Sequence, residues 1–220
     1  MNKLFKKSWA ESGESLIETV VSIAVLAMGG LGATAIIFSS LIAGGVSRDR
    51  VIATNLAREG IEVVRSIRDT NWLKYSIKKR ECWNWDENSG KDCDGSGNNL
   101  IKPGYYTAYF DDDYKWKLRS YSAGSNIMGR QLVLYDTDND GKEDLYNDGN
   151  IPFFNKVKYS VFHREIEIRY YQDLNSNTFG TSDNNIMEVI AKVQWRERGR
   201  DHDVVLVTRL TDFLDRKNHL

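Results

Sequence analysis

The chain has 220 residues, enough for one domain of ordinary size and an additional element. Its 30 basic and 31 acidic residues leave a formal charge of -1, which excludes the strongly basic footprint of a nucleic-acid-binding domain. An apolar fraction of 41% with only 2 prolines argues against disorder.

The first feature in chain order is a short basic start, Lys3, Lys6 and Lys7, followed by Trp9, Glu11, Ser12 and Gly13. Glu14-Ser15-Leu16-Ile17-Glu18 comes next, and from Thr19 to Ser47 no residue is charged. That run meets the length criterion for crossing a bilayer. It is too long for the apolar region of a secretory signal, and it leads into a helical pattern instead of a small-residue cleavage site. A plain single-pass anchor explains the length but gives no reason for Glu18. An acid near a bilayer centre costs up to about 3 kcal/mol, less towards the interface, and usually has a partner or a task. The leader lysines favour a cytoplasmic N-terminus and an external C-terminal portion, with Arg48 and Arg50 opposing that bias in part.

Gly13-Glu14-Ser15-Leu16-Ile17-Glu18 and the long apolar run resemble the prepilin cleavage site of type IV pilins and type II secretion pseudopilins. The resemblance implies a leader, residues 1–13, removed after Gly13 by a membrane-embedded prepilin peptidase, and methylation of the new amine on Glu14. It implies that Glu18, fifth in the mature chain, pairs with the charged N-terminus of a neighbouring subunit, making both groups tolerable in an apolar filament core. Removing three Lys and one Glu with the leader takes the formal charge to about -3. The chain departs from the family pattern at Glu14, where Phe or Met is usual, and at Ala35, where major pilins carry a kinking proline. Both departures point to a minor pilin or pseudopilin.

The helical pattern continues past the apolar run. Ile52, Leu56, Val63 and Ile67 form one stripe, with Arg58, Glu62, Arg65 and Arg68 between them. One helix is expected from Glu14 to about Asp69, roughly 80 Å long. Residues 14–47 form its membrane or filament half, and 48–71 its amphipathic half. Gly29, Gly30, Gly32, Gly44 and Gly45 lower helix propensity, and either allow close helix contact or partial melting on assembly.

Residues 72–220 read as an extracytoplasmic β-rich domain. A loop-rich connection from Trp72 to Asn99 carries Trp83, Trp85, Cys82 and Cys93. Strands are expected at Tyr105–Phe110, Tyr114–Arg119, Gln131–Tyr135, Lys158–Tyr170, Ile186–Trp195 and His202–Phe213. Met187, Val189, Ala191, Val193 and Trp195 alternate with Glu188, Lys192 and Gln194, which is strand periodicity. Gly/Asn/Asp clusters between the runs make antiparallel hairpins the simplest connection. An apolar helix stripe and an apolar sheet face bury each other, so the fold class is α+β: a long N-terminal helix packed on an antiparallel sheet. This is also the pilin architecture.

Asp136-Thr137-Asp138-Asn139-Asp140-Gly141-Lys142-Glu143-Asp144 has acids at the first, third and fifth positions and Gly at the sixth, like the start of a calcium loop. Asp136, Asp138, Asp140 and Asp144 are the candidate ligands. Asn147 stands where the bidentate Glu belongs, so this is either a weak site of extracellular type or a solvated acidic turn. The pair Cys82 and Cys93 reads as a disulfide of an exported domain or as two free thiols. His163, His202 and His219 have no nucleophile at recognisable spacing, and His163 falls on the polar phase of its strand. Lys74, Lys78, Lys79 and Arg80 form a small basic cluster followed at once by acids, a poor basis for nucleic-acid contact. Trp83 and Trp85 line a partner surface or fold over the sheet edge.

The expected partners are other pilins or pseudopilins in a helical filament, the prepilin peptidase, a membrane assembly platform, and the lipid bilayer before assembly. No cofactor is required beyond possible calcium, and no catalytic residue is expected. The principal rival is a membrane-anchored binding protein or adhesin that does not polymerise. An anchored extracytoplasmic enzyme is a more distant one.

Overall fold

The computed structural model describes residues 11–75, 77–86, 92–94, 99–111, 115–121, 131–136, 145–147, 155–171 and 186–212. The chain divides into two compact units, Met1–Asp49 and Arg50–Leu220. Helix α1 runs from Glu11 to Lys74, and its residues up to 49 make up the described part of the first unit. It extends five residues past the Asp69 end read from periodicity. Asn71 fixes that extension: its side-chain amide donates to the carbonyls of Trp83 (3.4 Å) and Trp85 (2.9 Å), holding the last turn to the returning chain.

In the second unit the α1 stripe packs on a 7-stranded antiparallel sheet. After a short helix α2 (Lys79–Cys82) come β1 (Gly104–Phe110), β2 (Trp116–Tyr121), β3 (Gln131–Asp136) and β4 (Leu145–Asn147). The long β5 (Asn155–Tyr171) and the hairpin of β6 (Ile186–Glu197) and β7 (Arg200–Thr211) complete the sheet. The fold is therefore α+β, as the sequence pattern required.

β5 organises this sheet. One of its edges pairs with β6 from Phe162 to Tyr171. The other edge pairs with β3 from Asn155 to His163 and then with β1 from Ile166 to Ile168. β4 lies beside β3, β2 beside β1, and β7 beside β6. The connection between β6 and β7 is the two-residue turn Arg198-Gly199, with φ of 49° and 78°. Positive φ at both positions defines the hairpin turn whose twist matches its strands, and Gly199 adopts it without steric cost.

The core lies between α1 and the sheet. Ala53, Leu56, Ala57, Ile61, Val63 and Val64 are buried from the helix side. From the sheet side Ile166, Ile168 and Tyr170 of β5 and the predicted run Met187, Val189, Ala191, Val193 and Trp195 of β6 are buried. Each fully buried side chain of this size contributes about 1.5–3 kcal/mol. Gly60 sits where helix and sheet come closest: a Cβ there would lie 3.3 Å from Ile166 Cδ1 and 3.4 Å from Arg164 Cδ. Arg68, placed on the polar side of the helix by sequence, is instead buried and bonds Asp69 through Nε at 2.8 Å.

Candidate functional site

The chemistry of the first unit is that of an unpartnered apolar helix. Every residue from Leu16 to Gly45 is exposed, around the whole circumference of α1. Leaving roughly a dozen large apolar side chains in water forfeits about 1.5–3 kcal/mol each, so such a segment is stable only in lipid or against other apolar surfaces. Three of its hydroxyls are provided for within the helix. The hydroxyls of Thr19, Thr34 and Ser39 each donate at 2.9 Å to a carbonyl three residues back, on Leu16, Leu31 and Ile36. Hydroxyls satisfied within the helix need no water, as a bilayer requires. The segment is the one described helix long and apolar enough to cross a membrane, and it is compatible with a single membrane anchor.

Gly13, Glu14 and Glu18 all lie within α1. Glu18 is exposed at the start of the apolar segment, one helical turn beyond Glu14. Gly29, Gly30, Gly32 and Gly44 lie in unbroken helix and have nothing within 4 Å of a would-be Cβ, leaving the backbone open to close approach by another helix.

In the second unit Cys82 and Cys93 form a disulfide, with Cα atoms 5.9 Å apart, which excludes free thiols. It closes the connection that sequence read as a loop. Trp83 and Trp85 are not a partner surface: both are 2% exposed. Trp85 bridges to Leu100, and Asn84 between them donates to Tyr170 Oη at 3.1 Å. Tyr170 Oη donates in turn to the Ile101 carbonyl at 2.8 Å, and burial pushes this phenol far above its ordinary pKa.

The basic cluster is consumed internally. Lys74 pairs with Asp92 at 3.0 Å, Lys79 lies 4.2 Å over the Trp72 ring, and Arg80 faces Asp212 at 3.5 Å. Lys78 donates to the Asp94 carbonyl. The hydrogen bond to Asp92 raises the Lys74 pKa, and the same bond lowers that of Asp92.

Asp138, Asp140 and Asp144 of the acidic loop lie outside the described residues, and Asp136 is the last residue of β3. The loop joins β3 to β4 in an antiparallel hairpin. Asn147, at the twelfth position, is 1% exposed, and its Oδ1 accepts from the Phe110 amide at 2.7 Å. That oxygen is committed to β1. Among the described residues no group of three or more His, Cys, Asp or Glu is placed to hold a metal.

His163 is a correction. It is on the sheet face away from α1, as its phase predicts, yet it is only 8% exposed, between Gln131 on β3 and Gln194 on β6. A central strand position, flanked on both edges, buries a residue that alternation alone assigns to water. His202 stacks on Trp195, centroids 5.3 Å apart, and His219 lies outside the described residues.

Sequence reasoning missed Arg164. It shares the core-facing phase of Phe162 and Ile166, its side chain is 1% exposed, and its Nη1 pairs with Glu59 at 2.6 Å. Nη2 donates to the Ala108 carbonyl at 3.1 Å. An Arg on an apolar strand phase was the available signal. A cleft of about 450 Å³ opens beside β1 and β2, with Asp86, Lys102, Tyr105, Ser120 and Tyr121 among its lining residues. Neither His nor Cys lines it, and the Tyr105 and Tyr121 rings stack on each other at 5.9 Å.

No family model matches the chain, and no curated protein or solved structure matches it.

Proposed function

We propose that the chain is a minor subunit of a type IV pilus or a related pseudopilus, and not an enzyme. The observation that carries this reading is the fully exposed apolar helix from Leu16 to Gly45 with Glu18 at its start, directly after Gly13-Glu14 and a basic leader. Peptidase cleavage after Gly13 creates a charged amine on Glu14, which is then methylated. Glu18 of one subunit pairs with that amine on the next, so neither charge is stranded when apolar helices pack together. Head-to-tail contacts of this kind are heterologous and open-ended, which is the symmetry a filament needs. The unit from Arg50 onward stays outside the membrane, where the Cys82–Cys93 disulfide is chemically at home. A weak calcium site in the Asp136, Asp138, Asp140 and Asp144 loop belongs to the same external setting.

The test is the intact mass and N-terminal sequence of the protein recovered from its native membrane or sheared filaments. A mature chain beginning with methylated Glu14 is expected. A chain still beginning with Met1 overturns the proposal and leaves a non-polymerising anchored binding protein. Glu18→Ala should preserve membrane insertion and cleavage while abolishing incorporation into filaments; normal incorporation would remove Glu18 from the mechanism.

A further inference from the structure

The outer edge of β7, unpaired among the described residues, has a sequence that complements itself. Among the described residues β7 pairs only with β6, through an unbroken register from Ile186–Thr211 to Glu197–Arg200. Edge strands of natural proteins are usually short, bulged, or guarded by proline or a central charge. β7 is 12 residues long, contains neither Pro nor Gly, and is uncharged from Val204 to Thr208. Val205 and Val207 are 47% and 56% exposed on the sheet face away from α1.

The hairpin turn settles which groups face the open edge. A two-residue turn with positive φ at both positions makes Glu197 and Arg200 a hydrogen-bonded pair. Even-numbered residues of β7 therefore bond to β6, while Asp201, Asp203, Val205, Val207, Arg209 and Thr211 direct N–H and C=O groups away from β6. An antiparallel partner strand must meet those residues with its own outward-bonding residues.

We propose that β7 is a homotypic pairing surface, through which two copies of this chain join antiparallel in register about Leu206. In that register Val205 faces Val207 of the second copy, Val204 faces Thr208, and Asp203 faces Arg209, each contact occurring twice about the two-fold axis. The pairing places valine on valine and carboxylate on guanidinium, and it completes about eight main-chain hydrogen bonds across the central residues alone. Such a contact is isologous, the same patch serving both chains. The neighbouring symmetric registers are worse. Centring on Val205 sets Asp203 against Val207, and centring on Val207 sets Arg209 against Val205. The charge pattern therefore selects a second copy of this chain over an unrelated strand. Arg209 also bonds Glu188 at 3.0 Å, which holds its side chain on the face where the second Asp203 arrives.

The contact uses neither Gly13 nor Glu18 and stands independently of the filament reading. The test is disulfide trapping of the full chain in detergent micelles under mild oxidation, with the native cysteines already bonded to each other. Leu206→Cys places the new thiol on the two-fold axis, at a non-hydrogen-bonded pair where cross-strand Cα atoms lie about 4.5 Å apart. It should form a covalent dimer at least tenfold faster than Val205→Cys. In the Leu206→Cys background, Asp203→Arg should slow trapping at least fivefold, and adding Arg209→Asp should restore it. Adding Glu18→Ala instead should leave the rate unchanged. Faster trapping through Val205→Cys would overturn the register, and failure of both cysteines to trap would overturn the interface. Loss of trapping with Glu18→Ala would assign the dimer to the apolar helix.

Discussion

The buried pair Arg164–Glu59 makes an asymmetric prediction. The Arg164 side chain is 1% exposed and that of Glu59 is 34% exposed, so the two partners do not respond alike to losing each other. Glu59→Ala leaves the guanidinium in the core with the Leu56 and Ala108 carbonyls as its acceptors among the described residues. Stranding one member of a fully buried pair costs about 3–5 kcal/mol. Partial exposure of Glu59 screens the pair, bringing the expected loss to about 2–4 kcal/mol. Arg164→Met keeps apolar volume in place and lets Glu59 turn to water. Its cost is chiefly the Ala108 carbonyl left without a donor, about 1–3 kcal/mol. With the guanidinium gone, Glu59 has nothing to neutralise, so the double variant should be no less stable than Arg164→Met alone. The coupling energy then equals the Glu59→Ala loss, about 2–4 kcal/mol. Urea titration of the full chain in detergent, followed by emission of the buried Trp83, Trp85 and Trp195, reads the domain directly. In thermal melts Glu59→Ala should lower Tm by roughly 8 °C for a domain of this size. A Glu59→Ala variant within about 0.5 kcal/mol of the parent, or single costs that simply add, would refute the reasoning.

Three further outcomes follow from the geometry. Gly60→Ala gains about 1 kcal/mol of helix propensity against a small displacement of Ile166, and should lie within about 1 kcal/mol of the parent. Gly60→Leu should lose about 1–3 kcal/mol by overpacking in the same titration, and easy acceptance would show that helix and sheet do not meet there. The Cys82–Cys93 bridge spans a sequence separation of 11, for which loop closure predicts about 3 kcal/mol. Cys82→Ser/Cys93→Ser should show that loss, and thiol labelling of the unfolded, unreduced parent should find no free thiol. Tyr106 tests alkaline behaviour, because burial pushes its phenol from 10.0 up to about 12. A raised folded-state pKa means the contribution is complete below pH 10.0 and is lost as pH rises towards about 12. Stability measured across that window should fall, and Tyr106→Phe should flatten the fall; an unchanged slope would contradict the assignment.

What was legible in the sequence was what a single element determines by itself. The charge-free run from Thr19 to Ser47 needs no tertiary partner to be recognised, and neither does the alternation of Met187 through Trp195. The amphipathic stripe led correctly to Leu56 and Val63, since side chains at helical spacing share a face whatever packs on it. Positions that depend on two elements meeting were not legible. His163 looks solvent-facing until Gln131 and Gln194 flank it. Trp83 and Trp85 sit in a segment of loop composition, and only the return of the chain past Asn71 to Leu100 buries them. β4 is three residues long, too short for any period, and it coincides with the last positions of the calcium-like pattern.

Arg164 and Asn147 share a physical origin that explains why neither was found. β1 pairs with β5 only as far as Tyr106, because the β5 edge beyond Ile166 goes over to β3. The next outward-bonding groups of β1 on that edge are the Ala108 carbonyl and the Phe110 amide, and the strand that would have met them has turned to another partner. Side chains take its place: Arg164 donates to the Ala108 carbonyl and Asn147 accepts from the Phe110 amide. An apolar residue at either position would leave a main-chain group unpaired in the interior, at about 1–3 kcal/mol. Burying a guanidinium then requires a counter-charge, and Glu59 on the facing helix supplies it. Arg164 and Asn147 are thus the consequence of one strand serving two partners along a single edge, a property of the sheet that no local pattern contains.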